Sequence, residues 1–286
     1  MRIVTVYNQK GGVGKTTMSW LMGEALTFTK LKTRVLLIDN DEQCNLTRTI
    51  LGMDVMDKVS KEHNLFNVVS GASIIDNIYE TSFHNISIVP GSEALRDEHM
   101  KIEFFTKAIK ELDELPEEYK FNFIVIDNGP KMDNKANATL LAADLVLIPF
   151  ASDLYSFDRL PKVVKHIQDN YGTAANKIRI VPSMLKNTAS ALSYLNAARK
   201  LFKDLVTQIE IPASQDVESA KKRSHSLFLK KTGAGKTADA YISLVSELFG
   251  VSRVDIISNL TNEKNTIKKE ISKLNFKKMR EAMNAK

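Results

Sequence analysis

At 286 residues with 43% hydrophobic and 26% charged content, the chain is expected to bury a sizeable core as one large α/β domain plus extensions. One cysteine, Cys44, excludes an internal disulfide and an all-cysteine metal site; the five histidines show no metal-binding spacing, and no apolar stretch approaches a membrane span. The chain opens on a strand pattern in place of a signal segment, so a cytoplasmic protein is expected, and its net charge of +6 is confined to the last quarter: residues 1–214 carry 25 Lys+Arg against 26 Asp+Glu, residues 215–286 carry 15 against 8.

The first apolar run, Ile3 to Tyr7, predicts a strand, and Asn8 to Thr17 follow it directly. That segment is a glycine-rich phosphate loop with a surplus lysine. The pattern G-x-x-x-x-G-K-[ST] wants glycine where Gln9 stands, so Gly14, Lys15 and Thr16 fit strictly and Lys10 is the unusual residue. Gly11, Gly12 and Gly14, around Val13, let backbone N–H groups approach phosphate oxygens. From Lys15 through Thr17 the chain reads as a helix over 15–29, whose N-terminal N–H groups and dipole also face an anion. Lys15 is expected on the β- and γ-phosphates, and the Thr16 hydroxyl on Mg2+. Trp20, with Met18 and Leu21, reads as core.

Further strands are predicted at Val35 to Ile38, Phe123 to Ile126, Leu145 to Phe150 and Ile178 to Val181, with a weaker one at Ile86 to Val89. These runs are short, rich in Val and Ile, and do not alternate, as in a parallel sheet covered on both faces. Helices are predicted over 93–114, 134–142, 154–170 and 188–204. The expected fold is therefore a doubly wound, mostly parallel sheet flanked by helices, with ligands beyond the carboxyl ends of its strands. Two such ends carry carboxylates. Asp39 and Asp41 follow the Val35 run, where carboxylates hold Mg2+ through water or orient an attacking water. Asp127 follows the Phe123 run in the placement of a Walker B aspartate, to anchor Mg2+ with Thr16. Lys230 to Thr237 mimics a second phosphate loop, but no predicted strand precedes it and Ala238 to Phe249 reads as a core helix, so it is taken as a loop.

Together these motifs resemble the deviant Walker A ATPases, the ParA/MinD group. Lys10 to Thr17 is similar to its signature loop, Asp39 to Asn45 to its switch motif D-x-D-P-Q-x-N, Asp127 to Pro130 to D-x-x-P, and Ile211-Pro212 with Glu218, Ala220 and Ser226-Leu227 to its late I-P…E-A…S-L segment. The resemblance spans roughly residues 1–249, and with it a P-loop ATPase domain over 1–250 and a basic helical extension over 251–286. Three positions depart from the pattern: Glu42 replaces a proline, Cys44 a glycine, and Gly129 the first proline of a D-x-P-P-type end.

What the resemblance implies is an ATP-dependent homodimer in which Lys10 reaches the partner's ATP, Asp39 lies near the metal and Asp41 orients the hydrolytic water. Hydrolysis is expected to be slow until a partner protein stimulates it. Members of the ParA kind bind DNA without sequence preference through basic C-terminal residues and act with a ParB-like partner; MinD-like members bind membranes through a terminal amphipathic helix. The tail from Thr266 sets Ile267, Ile271, Leu274 and Met279 among Lys268, Lys269, Lys273, Lys277, Lys278 and Arg280. Phe276 is its only aromatic, which fits phosphate neutralisation better than a lipid interface. The expectation is thus a DNA partition ATPase, nucleoid-associated when ATP-bound, ahead of a membrane-associated positioning ATPase or a metabolic P-loop kinase or ligase. With the loop at residue 10, no room is expected for a preceding helix-turn-helix domain.

Overall fold

The computed structural model describes residues 1–52, 63–95, 102–170, 177–229 and 235–266. Its strands are β1 (Arg2–Val6), β2 (Val35–Asn40), β3 (Tyr79–Glu80), β4 (Ile86–Val89), β5 (Phe123–Asn128), β6 (Leu145–Ala151) and β7 (Ile178–Ser183). They form one sheet in the order β3-β4-β2-β5-β1-β6-β7, parallel except for β3, which runs antiparallel to β4. The Val- and Ile-rich runs became the inner strands because both of their faces are covered: every residue of β2 and β4 is buried.

The helices are α1 (Lys15–Thr27), α2 (Asn45–Leu51), α3 (Leu65–Val69), α4 (Ile102–Asp113), α5 (Asn134–Ala142), α6 (Leu154–Asn170), α7 (Ala189–Phe202), α8 (Gln215–Lys222), α9 (Lys236–Phe249) and α10 (253–266). Successive strand residues feed opposite layers. Val35 and Leu37 join Trp20, Met22, Leu26, Phe228 and Tyr241 on one side, whereas Leu36 and Ile38 join Phe105, Leu112 and Ile126 on the other. A third cluster gathers β6 and β7 against α6 and α7 through Ile148, Phe150, Val163, Ile167, Ile180 and Ala198. Trp20 is core, as expected, its ring edge-on to Phe83 at 6.2 Å.

Some boundaries move. The helix expected over 93–114 covers Ile102–Asp113, and Glu93 and Ala94 lie in a turn instead. Helices α2, α3 and α8 and the edge strand β3 are additions to the expected elements. The extension does not leave the core at once: Ile256 and Leu260 of α10 are buried in the Trp20 cluster, and Asn259 Nδ2 donates to the Phe28 carbonyl at 3.0 Å. Lys230 to Ala234 of the second glycine loop, and the tail from Ile267 on, lie outside the described residues.

Candidate functional site

The phosphate loop joins β1 to α1 at the carboxyl edge of the sheet. Gly12 and Gly14 take φ of 73° and 91°, the left-handed region where a side chain is strained, and a Cβ at Gly11 or Gly12 would meet nothing within 4 Å, so open space faces the loop. Gly14 caps α1 without a side-chain bond, which leaves the first helical N–H groups directed at that space. Two side chains pin the loop: Asn8 Nδ2 donates to the Pro149 carbonyl at 2.7 Å, and Ser183 Oγ to the Val13 carbonyl at 2.9 Å.

The two lysines have separate surroundings. Lys15 is buried, and its Nζ donates to the Lys10 carbonyl at 3.0 Å. Burial pushes its pKa down, against the pull of Asp127 and Asp41. Lys10 instead turns along the loop's outer side. Its Nζ donates to both Asp153 oxygens at 2.8 Å and to Ser156 Oγ at 3.0 Å, and stands 5.9 Å from the Tyr155 ring centroid. Asp153 and Ser156 lie at the start of α6, where the Ser156 N–H also donates to Asp153 Oδ1 at 2.9 Å.

The strand-end carboxylates meet because β2 pairs with β5 in a register that sets Asp39 beside Asp127. Both are fully buried, and burial raises their pKa values to about 6 and about 7. Asp39 Oδ2 accepts the Thr47 N–H at 2.8 Å and its hydroxyl at 2.7 Å, while Oδ1 accepts the Asp41 N–H at 3.3 Å. Both of its oxygens are therefore engaged within the protein. Asp127 differs: hydrogen bonds from Thr16 and Ser19 reach it, Ser19 Oγ standing 3.0 Å from Oδ1, yet Oδ2 has no hydrogen-bond partner among the described residues. A buried, unpartnered carboxylate oxygen beside a threonine hydroxyl is the donor set of a hard cation, so Thr16 and Asp127 fit Mg2+. No cluster of three His, Cys, Asp or Glu exists among the described residues.

Asp41 completes the arrangement, with Oδ1 accepting the Gln43 N–H at 3.0 Å. It lines a cavity of about 420 Å³ with Gly11, Gly12, Lys15, Thr16 and Pro130. A second cavity of about 310 Å³, walled by Ile211, Pro212, Val217 and Tyr241, shares Gly14, Thr17, Met184 and Glu218 with the first. Lys10 thus stands apart from Lys15, Thr16, Asp39, Asp41 and Asp127, which the fold gathers behind the loop. The pattern that marks Asp39 and Asp127, a carboxylate just past a Val- and Ile-rich run, also marks Asp153, whose partner only the structure identifies. Thr47, Ser19 and Ser156 carry no comparable sequence signal. Cys44 is buried among neighbours and its thiol is pushed up to about 12, chiefly by burial, as for a packing residue.

Residues 1–180 match a family model described as an AAA domain. The sporulation initiation inhibitor protein Soj of Bacillus subtilis is 27% identical over 254 residues, covering 86% of this chain and 98% of its own length. The chromosome partitioning protein ParA of Caulobacter vibrioides is 26% identical, covering 88% of this chain and 96% of its own. Among solved structures, the cell division ATPase MinD of Pyrococcus furiosus superposes with a TM-score of 0.69 over 88% of this chain and 99% of its own, at 22% identity, a likeness of fold. With a matched domain that includes the loop and both strand-end carboxylates, the chain belongs to this AAA-domain family and is a P-loop ATPase of the ParA/MinD kind.

Proposed function

We propose that this protein is a nucleotide-switched partition ATPase: ATP and Mg2+ bind at the loop, two ATP-bound copies pair, the pair holds DNA without sequence preference, and a ParB-like partner speeds hydrolysis. The carrying observation is the division between the two lysines. Lys15 is buried behind the loop, while the Lys10 side chain keeps 26% of its surface exposed on the outer side. A phosphate site inside one subunit needs the first alone; the second, in this reading, serves a site that a neighbouring copy completes. Exposed apolar groups flank it, Tyr155 at 72% and Leu154 at 47%, as expected of a face that pairs when nucleotide is bound.

In this reading the loop amides and Lys15 hold the phosphates, and the apolar cavity beside Gly14 takes the base. Thr16 and Asp127 would hold Mg2+, which would neutralise phosphate charge, and Asp39 lies beside Asp127 across the strand pair. Asp41 orients water, and Lys10 adds positive charge from the partner copy. The names of the relatives, a chromosome partitioning protein among them, support the cellular role. The excess of Lys and Arg after residue 214 supports a polyanion as the bound surface. The test is to titrate the ATP-bound protein with random-sequence DNA and with anionic liposomes across salt. Binding to DNA that falls steeply with salt, with no liposome binding, is expected; liposome binding alone overturns the DNA assignment in favour of a membrane-positioning role.

A further inference from the structure

Residues 40 to 42 are stapled on both sides of Asp41 to the end of β5 and the segment after it. Asn40 Nδ2 donates to Asn128 Oδ1 at 2.8 Å and to the Lys135 carbonyl at 3.1 Å. On the other side, Glu42 Oε1 accepts Lys131 Nζ at 2.7 Å and Glu42 Oε2 lies 3.6 Å from Lys135 Nζ. Lys135 is not a loose surface cation: its side chain is 6% exposed, it donates to the Leu95 carbonyl at 3.1 Å, and Asp133 Oδ2 stands at 3.5 Å. Glu42 therefore directs its charge away from the phosphate cavity and into a two-lysine clasp. The same segment supplies the surface under Asp41. A Cβ at Gly129 would stand 3.2 Å from Asp41 Oδ1 and 3.4 Å from its Cγ, so a side chain there would press on the carboxylate and shift it by a few tenths of an ångström. Between the two segments lies a cavity of about 270 Å³, lined by Asn40, Asp41, Asn128, Lys131 and Lys135, so packing alone does not fix their spacing.

We infer that Glu42 is a positioning residue for hydrolysis: through Lys131 and Lys135 it locks the Asp39–Asn45 segment to the Asp127–Lys135 segment and so sets the Asp41 carboxylate over Gly129. This rests on Asp41 being the water-orienting group. The clasp acts on Asp41 and not on the loop amides, so its loss slows turnover while nucleotide affinity stays. Lys131 is largely exposed, which makes that half of the clasp sensitive to salt, whereas buried Lys135 holds the other half.

The test uses the full chain with Glu42→Gln, alone and in an Asp41→Ala background, reading kcat, nucleotide affinity and amide hydrogen exchange without nucleotide. Expected are a roughly fivefold lower kcat, on the scale of one lost partly buried ion pair, an unchanged affinity, and faster exchange at 41–44 and 129–135 together. In the Asp41→Ala background, Glu42→Gln lowers kcat no further. Unchanged kcat or exchange in Glu42→Gln overturns the inference, as does a full loss on top of Asp41→Ala. Absence of hydrolysis by the unmodified chain overturns the ATPase reading itself, and is read separately.

Discussion

Lys10 Nζ stands 2.8 Å from both oxygens of Asp153, a bond within one chain by the very lysine that the proposed function assigns to a neighbouring copy's nucleotide. Burial alone raises the Asp153 carboxyl pKa, but hydrogen bonds from Lys10 and the Ser156 amide outweigh it and hold it below its ordinary value. Under the proposed function, Asp153 competes with the partner's phosphate for one cation. Asp153→Asn is expected to favour the ATP dimer by up to about fivefold in dissociation constant, the worth of a partly exposed ion pair. Monomer nucleotide affinity stays. Sedimentation across concentration reads it, and an unchanged or weaker dimer contradicts the competition.

Lys15 and Asp41 separate binding from turnover. Lys15→Ala removes the buried cation behind the loop and is expected to weaken ATP binding by about a hundredfold or more, the cost of losing a charge-assisted bond in a desolvated site. Asp41→Ala is expected to keep ATP affinity and slow hydrolysis by about a hundredfold, the scale of one positioned catalytic group. Fluorescent-nucleotide titration and phosphate release check the pair. ATP binding retained by Lys15→Ala overturns the loop assignment, and normal turnover by Asp41→Ala overturns its role with water.

Much of this was legible in the sequence because parallel strands buried on both faces announce themselves as short Val- and Ile-rich runs, and their carboxyl ends are where polar motifs gather. The phosphate loop needed only its own ten residues. By contrast, β3 is two residues long, and α2, Asn-Leu-Thr-Arg-Thr-Ile-Leu, is too short and polar to show a helical period. The partnerships that organise the site are farther still from any local pattern: Lys10 and Asp153 are 143 residues apart, Glu42 and Lys131 are 89, and the pairing of Asp39 with Asp127 is a property of strand register. Glu42, an apparent defect in the switch as a sequence, has a place once its lysines are seen.

Glu24 on α1 gives a pH-dependent prediction away from the site. It is fully buried, accepts hydrogen bonds from Trp20 Nε1 and, at 2.7 Å, from Ser226 Oγ, and burial raises its pKa from 4.5 to about 7. A carboxyl whose folded-state pKa is raised binds its proton more tightly when folded, so stability falls as pH rises from about 4.5 to about 7 and then levels. Glu24→Gln removes that slope: relative to the unmodified chain the variant gains stability through this window, by up to about 3 kcal/mol. Urea denaturation at several pH values checks it; a pH-independent difference contradicts it.

Thr47 holds Asp39 from α2 and also accepts the Gly91 N–H at 2.9 Å through the same hydroxyl. Thr47→Val keeps the shape and leaves a buried carboxylate short of a donor, at a cost of about 2 kcal/mol. Urea titration reads the loss, and a change within about 0.5 kcal/mol, the scale of a surface substitution, contradicts the role.

If Lys10 makes nucleotide part of a subunit interface, the mass of the protein by light scattering with Mg2+ and ATP, then with ADP, reports it. The unmodified chain is expected to double its mass in ATP alone, and Lys10→Ala to remain a monomer while still binding ATP. A dimer of unaltered strength in Lys10→Ala, or a monomer of the unmodified chain saturated with ATP, rules out that role for Lys10.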